Sequence, residues 1–340
     1  LNYKLIFIML AISLITIALL RYIITNQSSQ ALREANFNQL NSIRINKANQ
    51  IESFYSDRKG DVDVLSSTPI VVDAFNNFNN AFSSGGAEGV MYEIYIEQFG
   101  PYFNTYAEEN EYRDLFLINQ AGDIIYSQSQ NSDLAQNLIE GDLVESNLAR
   151  AFKEALAGNV TLVDFQYYGP VEAPVQFVAA PVLENEKIIG VTALQISAQP
   201  INQIMSEISG LGESGETYLV GSDKLMRSES RFTETADILE KEIDTQAVKQ
   251  ALAGTEASQI INDYRGEKVL SSYSSLDIKE FDWAIIAEID QAEAFSEIDS
   301  MNNNALIMIA AIALLVIVIS YFFSTKITEP ISKAVEMAEE

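Results

Sequence analysis

Cysteine and histidine are both missing from the 340 residues. The first absence removes disulfides, thiolate nucleophiles and cysteine-bound metals. The second removes the usual general base, any Ser-His pair and the commonest metal ligand. No nucleophile-base pair is evident in what is left, so no catalytic residue, metal or cofactor is expected. Basic residues are scarce as well: 21 Lys and Arg stand against 48 Asp and Glu, a formal net charge of −27. A nucleic-acid partner needs a basic patch and is excluded. The acidic surface reads either simply as a solubilising one or, more sharply, as a field that disfavours anionic ligands and concentrates cations. Tryptophan occurs once, at Trp283.

The apolar residues are gathered at the two ends. Residues 5–20 contain no charge and are bracketed by Lys4 and Arg21; residues 305–323 are likewise uncharged. At about 1.5 Å per residue the second run covers roughly 28 Å, close to a bilayer core. The first run reads as a span rather than a cleaved signal peptide, because no small-x-small cleavage site follows Arg21 and a second span exists. Two spans place residues 26–300 on one side of a membrane. Both tails, carrying Lys4, Lys326 and Lys333, then lie on the other, cytoplasmic, side.

After the first run, residues 31–66 read as one long helix. Phe37, Leu40, Ala48, Ile51, Phe54, Val62 and Leu65 follow a 3.5 to 3.6 repeat that Arg44 and Arg58 interrupt. Such a helix serves as a spine for other modules, as a homodimer seam, or as both. Ser67-Thr68-Pro69 ends it, and residues 70–82 and 90–106 read as two further helices.

Residues 112–197 then form an antiparallel sheet module. LFLI at 115–118 and IIYS at 124–127 make a hairpin, 147–157 an amphipathic helix, and 160–168, 175–182 and 188–197 three more strands. The pattern recurs. TYLV at 217–220 with LMRS at 225–228 repeats the hairpin, ALAG at 251–254 repeats ALAG at 155–158, and WAIIAEI at 283–289 answers GVTALQI at 190–196. This is a degenerate internal duplication. The chain continues past its second apolar run into TKITEPISKA at 325–334, where Pro330 opens a helix. That helix and the opening Leu1 both read as places where the sequence is trimmed.

In this order of elements the chain resembles a bacterial transmembrane receptor with a double Cache sensor, two PAS-like modules in tandem, followed by the start of a HAMP linker. DLFLINQAGDIIY, FVAAPV with IIGVTALQIS, and GLGESGETYLVGSDKLMRSESRF carry the likeness over residues 112–295. The resemblance implies an α+β fold, with a long N-terminal helix and two antiparallel-sheet modules flanked by two transmembrane helices. It divides the chain into a transmembrane helix (1–25), a spine helix and helical lead-in (26–111), membrane-distal (112–205) and membrane-proximal (206–300) modules, a second transmembrane helix (301–324) and the HAMP start (325–340). It implies extracytoplasmic sensing of a small molecule by a homodimer in the cell inner membrane. Most receptors of this kind are methyl-accepting chemotaxis proteins, which act on a cytoplasmic histidine kinase and a coupling protein. The same sensor also fronts histidine kinases and nucleotide or cyclic-dinucleotide cyclases.

Within the first module, Tyr126, Asp164, Tyr168, Phe177 and Gln195 are the candidate pocket residues. By period two, Asp164, Gln166 and Tyr168 share one strand face, and a carboxylate among aromatics suits a polar or cationic solute. The plainer alternative has Asp164 capping a turn or pairing with Arg150, with the aromatics as core. Amino-acid receptors of the family carry an Arg-x-Trp-Tyr cluster in the distal module and an Asp on its last strand. Here the tryptophan lies in the second module and the last-strand position is Gln195, a neutral residue. An ammonium needs a carboxylate partner, which argues against an amino-acid ligand. Arg113 offers itself either to a ligand carboxylate or to a surface ion pair. Gly210-x-Gly212-x-x-Gly215 matches the dinucleotide fingerprint in letters but is preceded by a helix and followed by a strand, so it reads as a turn.

Overall fold

The computed structural model describes residues 2–233, 236–323, 326 and 337. They fall into two compact units, one formed by residues 40–289 and one by residues 1–39 with 290–340.

The second unit is helical. It holds the opening of α1 (Asn2–Ser66), a short α7 (Gln291–Ala294) and α8 (Ser296–Phe323). Asn36 Nδ2 donates to the Ala294 carbonyl at 2.6 Å, and the Arg33 guanidinium lies 5.7 Å from the centre of the Phe295 ring. Among the described residues one helix, Ala11–Ser66 within α1, is long and apolar enough to cross a membrane. The apolar stretch of α8, Asn303–Ile319, is shorter. A crossing takes about 20 residues, so among the described residues one candidate span is found where the sequence leads one to expect two. The expected HAMP start, 325–340, lies outside the described residues except for Lys326 and Met337.

In residues 40–289 the rest of α1 is joined by α2 (Pro69–Gly85) and α3 (Val90–Glu109). Then come β1 (Asp114–Asn119), β2 (Ile124–Ser127), α4 (Asn147–Leu156), β3 (Thr161–Tyr168), β4 (Ala173–Glu184) and β5 (Lys187–Ser197). These five strands form one antiparallel sheet in the order β2-β1-β5-β4-β3. After α5 (Gln199–Ser206) come β6 (Glu216–Gly221), α6 (Gln246–Leu252), β7 (Ala257–Asn262), β8 (Lys268–Ser275) and β9 (Trp283–Asp290). They form a separate four-stranded sheet, β6-β9-β8-β7. Residues 225–228, expected as a strand, make only isolated bridges.

The two arginines that break the apolar stripe of α1 are anchors. Arg44 is buried and bonds to the hydroxyls of Ser272 and Ser274 on β8. Arg58 lies 4.7 Å from the ring centres of both Phe54 and Tyr112 and donates to the Asn110 carbonyl at 2.7 Å. Lys47 donates to the carbonyls of Ile204 and Glu207, at 2.5 and 2.9 Å, and so satisfies orphan acceptors at the end of α5.

The first sheet is buried on both faces, and so is the second except along its edge strand β7. Alternate residues of the first sheet point to α1, α2 and α3 (Leu115, Leu117, Val178, Leu194) or to α4 (Phe116, Phe177, Ala179, Val191). α4 is held in place by Ser146, whose hydroxyl accepts from Ala149 N at its first turn. In the second sheet α6 covers Tyr218, Val220, Val269 and Ile286 in the same manner. Between the sheets, Gly215 ends the glycine turn: a Cβ there would sit 2.1 Å from the Leu211 carbonyl oxygen, so only glycine fits.

Candidate ligand-binding site

The α4 face of the first sheet carries a row of polar and aromatic side chains. Register sets the row. Gln195 on β5 is paired with Asp114 on β1 and, from its other side, with Phe177 on β4. Period two on β1 aligns Asp114 with Phe116 and Ile118, both in the core beneath α4. Tyr168, at the end of β3, sets its ring edge-on to Phe177 with centroids 5.1 Å apart, and Phe177 lies likewise on Phe116 at 5.9 Å.

Hydrogen bonds extend the row into the irregular segment 128–146 and the start of α4. Asp114 Oδ2 accepts from Ser127 Oγ at 3.0 Å, and Oδ1 accepts from the backbone amides of Leu115 and Ser129 at 2.7 and 3.1 Å. Tyr168 donates its phenol to Asp133 Oδ2 at 3.1 Å. Asn147 spends its amide donors on the carbonyls of Val175 and Asp164, at 2.7 and 3.3 Å.

Four polar atoms of this cluster find no protein partner: both Gln195 side-chain atoms, Asp133 Oδ1 and Asn147 Oδ1. All three residues are buried, Gln195 fully. An unsatisfied buried polar group costs about 1–3 kcal/mol, and native structures hold few of them. Four in one row make this face the candidate site for a polar ligand. The charge balance is also one-sided, since among the described residues neither Asp114 nor Asp133 forms an ion pair. Burial pushes the Asp114 carboxyl up to about 6, against the hydrogen bonds from Ser129 and Ser127 and helped by the Asp133 charge. Burial raises Asp133 too, opposed by the Tyr168 hydroxyl. A cationic group between them would relieve both.

Of the five sequence candidates, Tyr168, Phe177 and Gln195 meet here. Tyr126 and Asp164 do not. Tyr126 lies on the opposite face of the sheet, packed on Phe78 and Phe103 with ring centroids 4.8 and 5.1 Å away. Asp164 is turned aside because the β3–β4 pairing shifts register between Val163 and Gln166, which breaks the period of two. Its carboxylate pairs with Arg227 rather than Arg150. Sequence reasoning missed Asp114, Ser127, Asp133 and Asn147. Asp114 could have been found from its two-residue offset to Phe116. With Asp114 and Asp133 present, the site does contain the carboxylates whose absence counted against an ammonium ligand.

A family model described as Cache domain (dCache_1) matches residues 16–298. This chain belongs to the Cache-domain family. Among relatives of this double Cache sensor is a probable chemoreceptor, y4sI, of Sinorhizobium fredii, 22% identical over 327 residues. The match covers 88% of this chain and 41% of that receptor, so the chain spans about two fifths of its relative. In fold, the sensor is similar to the ligand-binding domain of Campylobacter jejuni chemoreceptor Tlp3 in complex with L-valine. That likeness has a TM-score of 0.54 at 14% identity, over 78% of this chain and 97% of the other. It is similar also to the sensor domain of the Vibrio cholerae histidine kinase DctB, with a TM-score of 0.52 at 15% identity over 76% and 98% of the two chains.

Proposed function

We propose that this chain is the extracytoplasmic sensor and membrane-crossing part of a chemoreceptor, and that its first module captures a small solute bearing an ammonium group. The observation that carries the ligand class is the row on the α4 face. It holds two buried carboxylates without a cation, an unpartnered carboxamide at Gln195 and an aromatic wall from Phe116, Tyr168 and Phe177. Asp114 and Asp133 would hold the ammonium, and Gln195 Nε2 would donate to a carbonyl or carboxylate on the same solute. Amino acids fit this chemistry, and Tlp3 was solved with L-valine bound.

In this reading the sensor is not an enzyme. It works as a homodimer, and α8 supplies the second crossing into a HAMP linker and an output domain that acts on a cytoplasmic histidine kinase and coupling protein. Capture shifts the balance between two packings of the modules on α1. The likeness to DctB favours a second reading, the same sensor fronting a histidine kinase. The domain encoded downstream of residue 340 distinguishes the two.

The test is calorimetric titration of the full chain in lipid nanodiscs with a panel of amino acids and simple amines. At least one amine-bearing compound is expected to bind, and Asp114→Asn is expected to abolish that binding in a folded protein. Equal binding by D114N would refute the site.

A further inference from the structure

The second module repeats the first, and its α6 face carries an equivalent pair. Aligning TYLV at 217–220 with LFLI at 115–118 places Glu216 on Asp114; aligning WAIIAEI with GVTALQI places Glu288 on Gln195. The sheet agrees, since Asp114 is paired with Gln195 across β1 and β5, and Glu216 with Glu288 across β6 and β9. Where the first module sets an acid opposite an amide, the second sets two acids opposite each other. Directly paired strand residues have Cβ atoms about 4.5–5.5 Å apart. Like charges at that spacing repel, and burial strengthens the repulsion.

Both glutamates are nearly inaccessible, at 3% and 1% exposure, and among the described residues neither forms an ion pair. Their surroundings differ. Glu216 accepts from Tyr264 Oη at 2.5 Å through Oε1 and from Ser230 Oγ at 2.8 Å through Oε2. Burial raises the Glu216 carboxyl above its ordinary range, opposed by these two hydroxyls and by the Arg265 and Lys241 charges, a set of partners for the anion that Glu288 lacks. Glu288 Oε2 accepts from Tyr218 Oη at 3.0 Å. Its Oε1 is unpartnered: Ser271 on β8 lies near enough to favour the anion, but its hydroxyl completes no hydrogen bond. Asp263, from the β7–β8 turn, adds negative charge to that of Glu216. Among the described residues no group of acidic side chains is arranged to hold a metal ion.

We propose that the second module is a proton-binding site, in which Glu288 is held as the neutral acid opposite an ionised Glu216 on the same rung of the β6–β9 ladder. Burial is the main force: it pushes the Glu288 carboxyl up to about 8, with the Asp263 and Glu216 charges in the same direction and the Ser271 and Tyr218 hydroxyls opposing. Releasing the proton puts two anions on one rung of the β6–β9 ladder, which loosens the sheet. The folded state therefore holds a proton that the unfolded chain gives up near its ordinary carboxylate range. The stabilisation is complete below that range and is lost as pH rises through about 8.

Infrared difference spectroscopy of the full chain in lipid nanodiscs, stepped across that pH, reads the acid directly. A protonated-carboxyl band is expected to titrate with a midpoint near 8, to vanish in Glu288→Gln and to persist in Glu216→Gln. A component titrating near 8 that survives E288Q, or its absence from the native protein at neutral pH, overturns the assignment. Thermal denaturation gives a second reading. The native melting temperature is expected to fall as pH rises through the midpoint, and E288Q, a neutral isostere of the acid, to remove that fall. Should E288Q fail to fold, Tyr218→Phe removes a hydrogen bond to the anion and is expected to move the midpoint upward; an unmoved midpoint counts against the proposal.

Discussion

Asp164 and Arg227 join the two sheet modules by a bidentate ion pair, with Nε 3.1 Å from Oδ1 and Nη2 3.0 Å from Oδ2. Arg227 is almost fully buried, and its guanidinium lies against Gly221, where a Cβ would stand 2.4 Å from it. The backbone carbonyl of Asp164 meanwhile accepts from Asn147, one of the residues of the ligand row. β3 thus faces the binding row with its main chain and the other module with its carboxylate.

Asp164→Asn is expected to weaken this junction without touching the ligand row. Asp223 remains on Arg227 at 2.9 Å, and Asp164 is one-fifth exposed, so the cost should be about 1–2 kcal/mol rather than that of a fully buried pair. Thermal denaturation should show a fall of roughly 2–8 °C for a unit of this size. Calorimetry should show ligand affinity unchanged within twofold. A collapse of affinity would put Asp164 back in the site.

Tyr168→Phe should instead affect ligand affinity and stability together. It removes the donor to Asp133 Oδ2 and leaves that buried carboxylate with no side-chain partner. Ligand affinity should drop by about tenfold, and stability by about 1–3 kcal/mol, readable in a paired titration and melt.

The proposed ligand affinity should depend on pH with a definite sign. Asp114 binds an ammonium only when ionised, and its carboxyl sits at about 6 in the free protein. Affinity should therefore be level above that pH and weaken toward tenfold per unit below it, more steeply if Asp133 protonates as well. Titrations at stepped pH measure this directly, and an affinity that rises on acidification would exclude carboxylate recognition.

Trp283→Ala should be the most damaging single change. Trp283 is fully buried, stacked on Phe165 at 6.0 Å with rings 6° apart and packed against Phe281 and Tyr55 at 4.6 and 5.7 Å. Its truncation should cost about 3–5 kcal/mol in chemical denaturation. Trp283→Phe should be far milder, because the indole nitrogen makes no hydrogen bond that would be lost.

Much of this fold could be read along the chain. The α1 stripe, the five strands around α4 and the internal duplication all follow from periodicity and turns, since local spacing decides which face each residue buries. The site was legible only in part. Tyr168, Phe177 and Gln195 lie on regular strands and could be placed. Asp164 misled because a bulge is a tertiary adjustment that leaves no mark on the alternation of letters. Asp133 could not be found, because residues 128–146 have no period and only the fold brings it to Tyr168, 35 positions away. Arg44 and Arg58 looked like breaks in a stripe because their partners lie far along the chain.

The lone indole has a practical consequence. Because the chain contains a single tryptophan, and that residue sits where Phe165 of β3 meets the second sheet, its fluorescence comes from one known place. Emission and quenching of the native protein therefore form a built-in optical gauge of the seam. A solute that acts only within the first module and one that slides the modules past each other should be distinguishable by light alone, with no label attached.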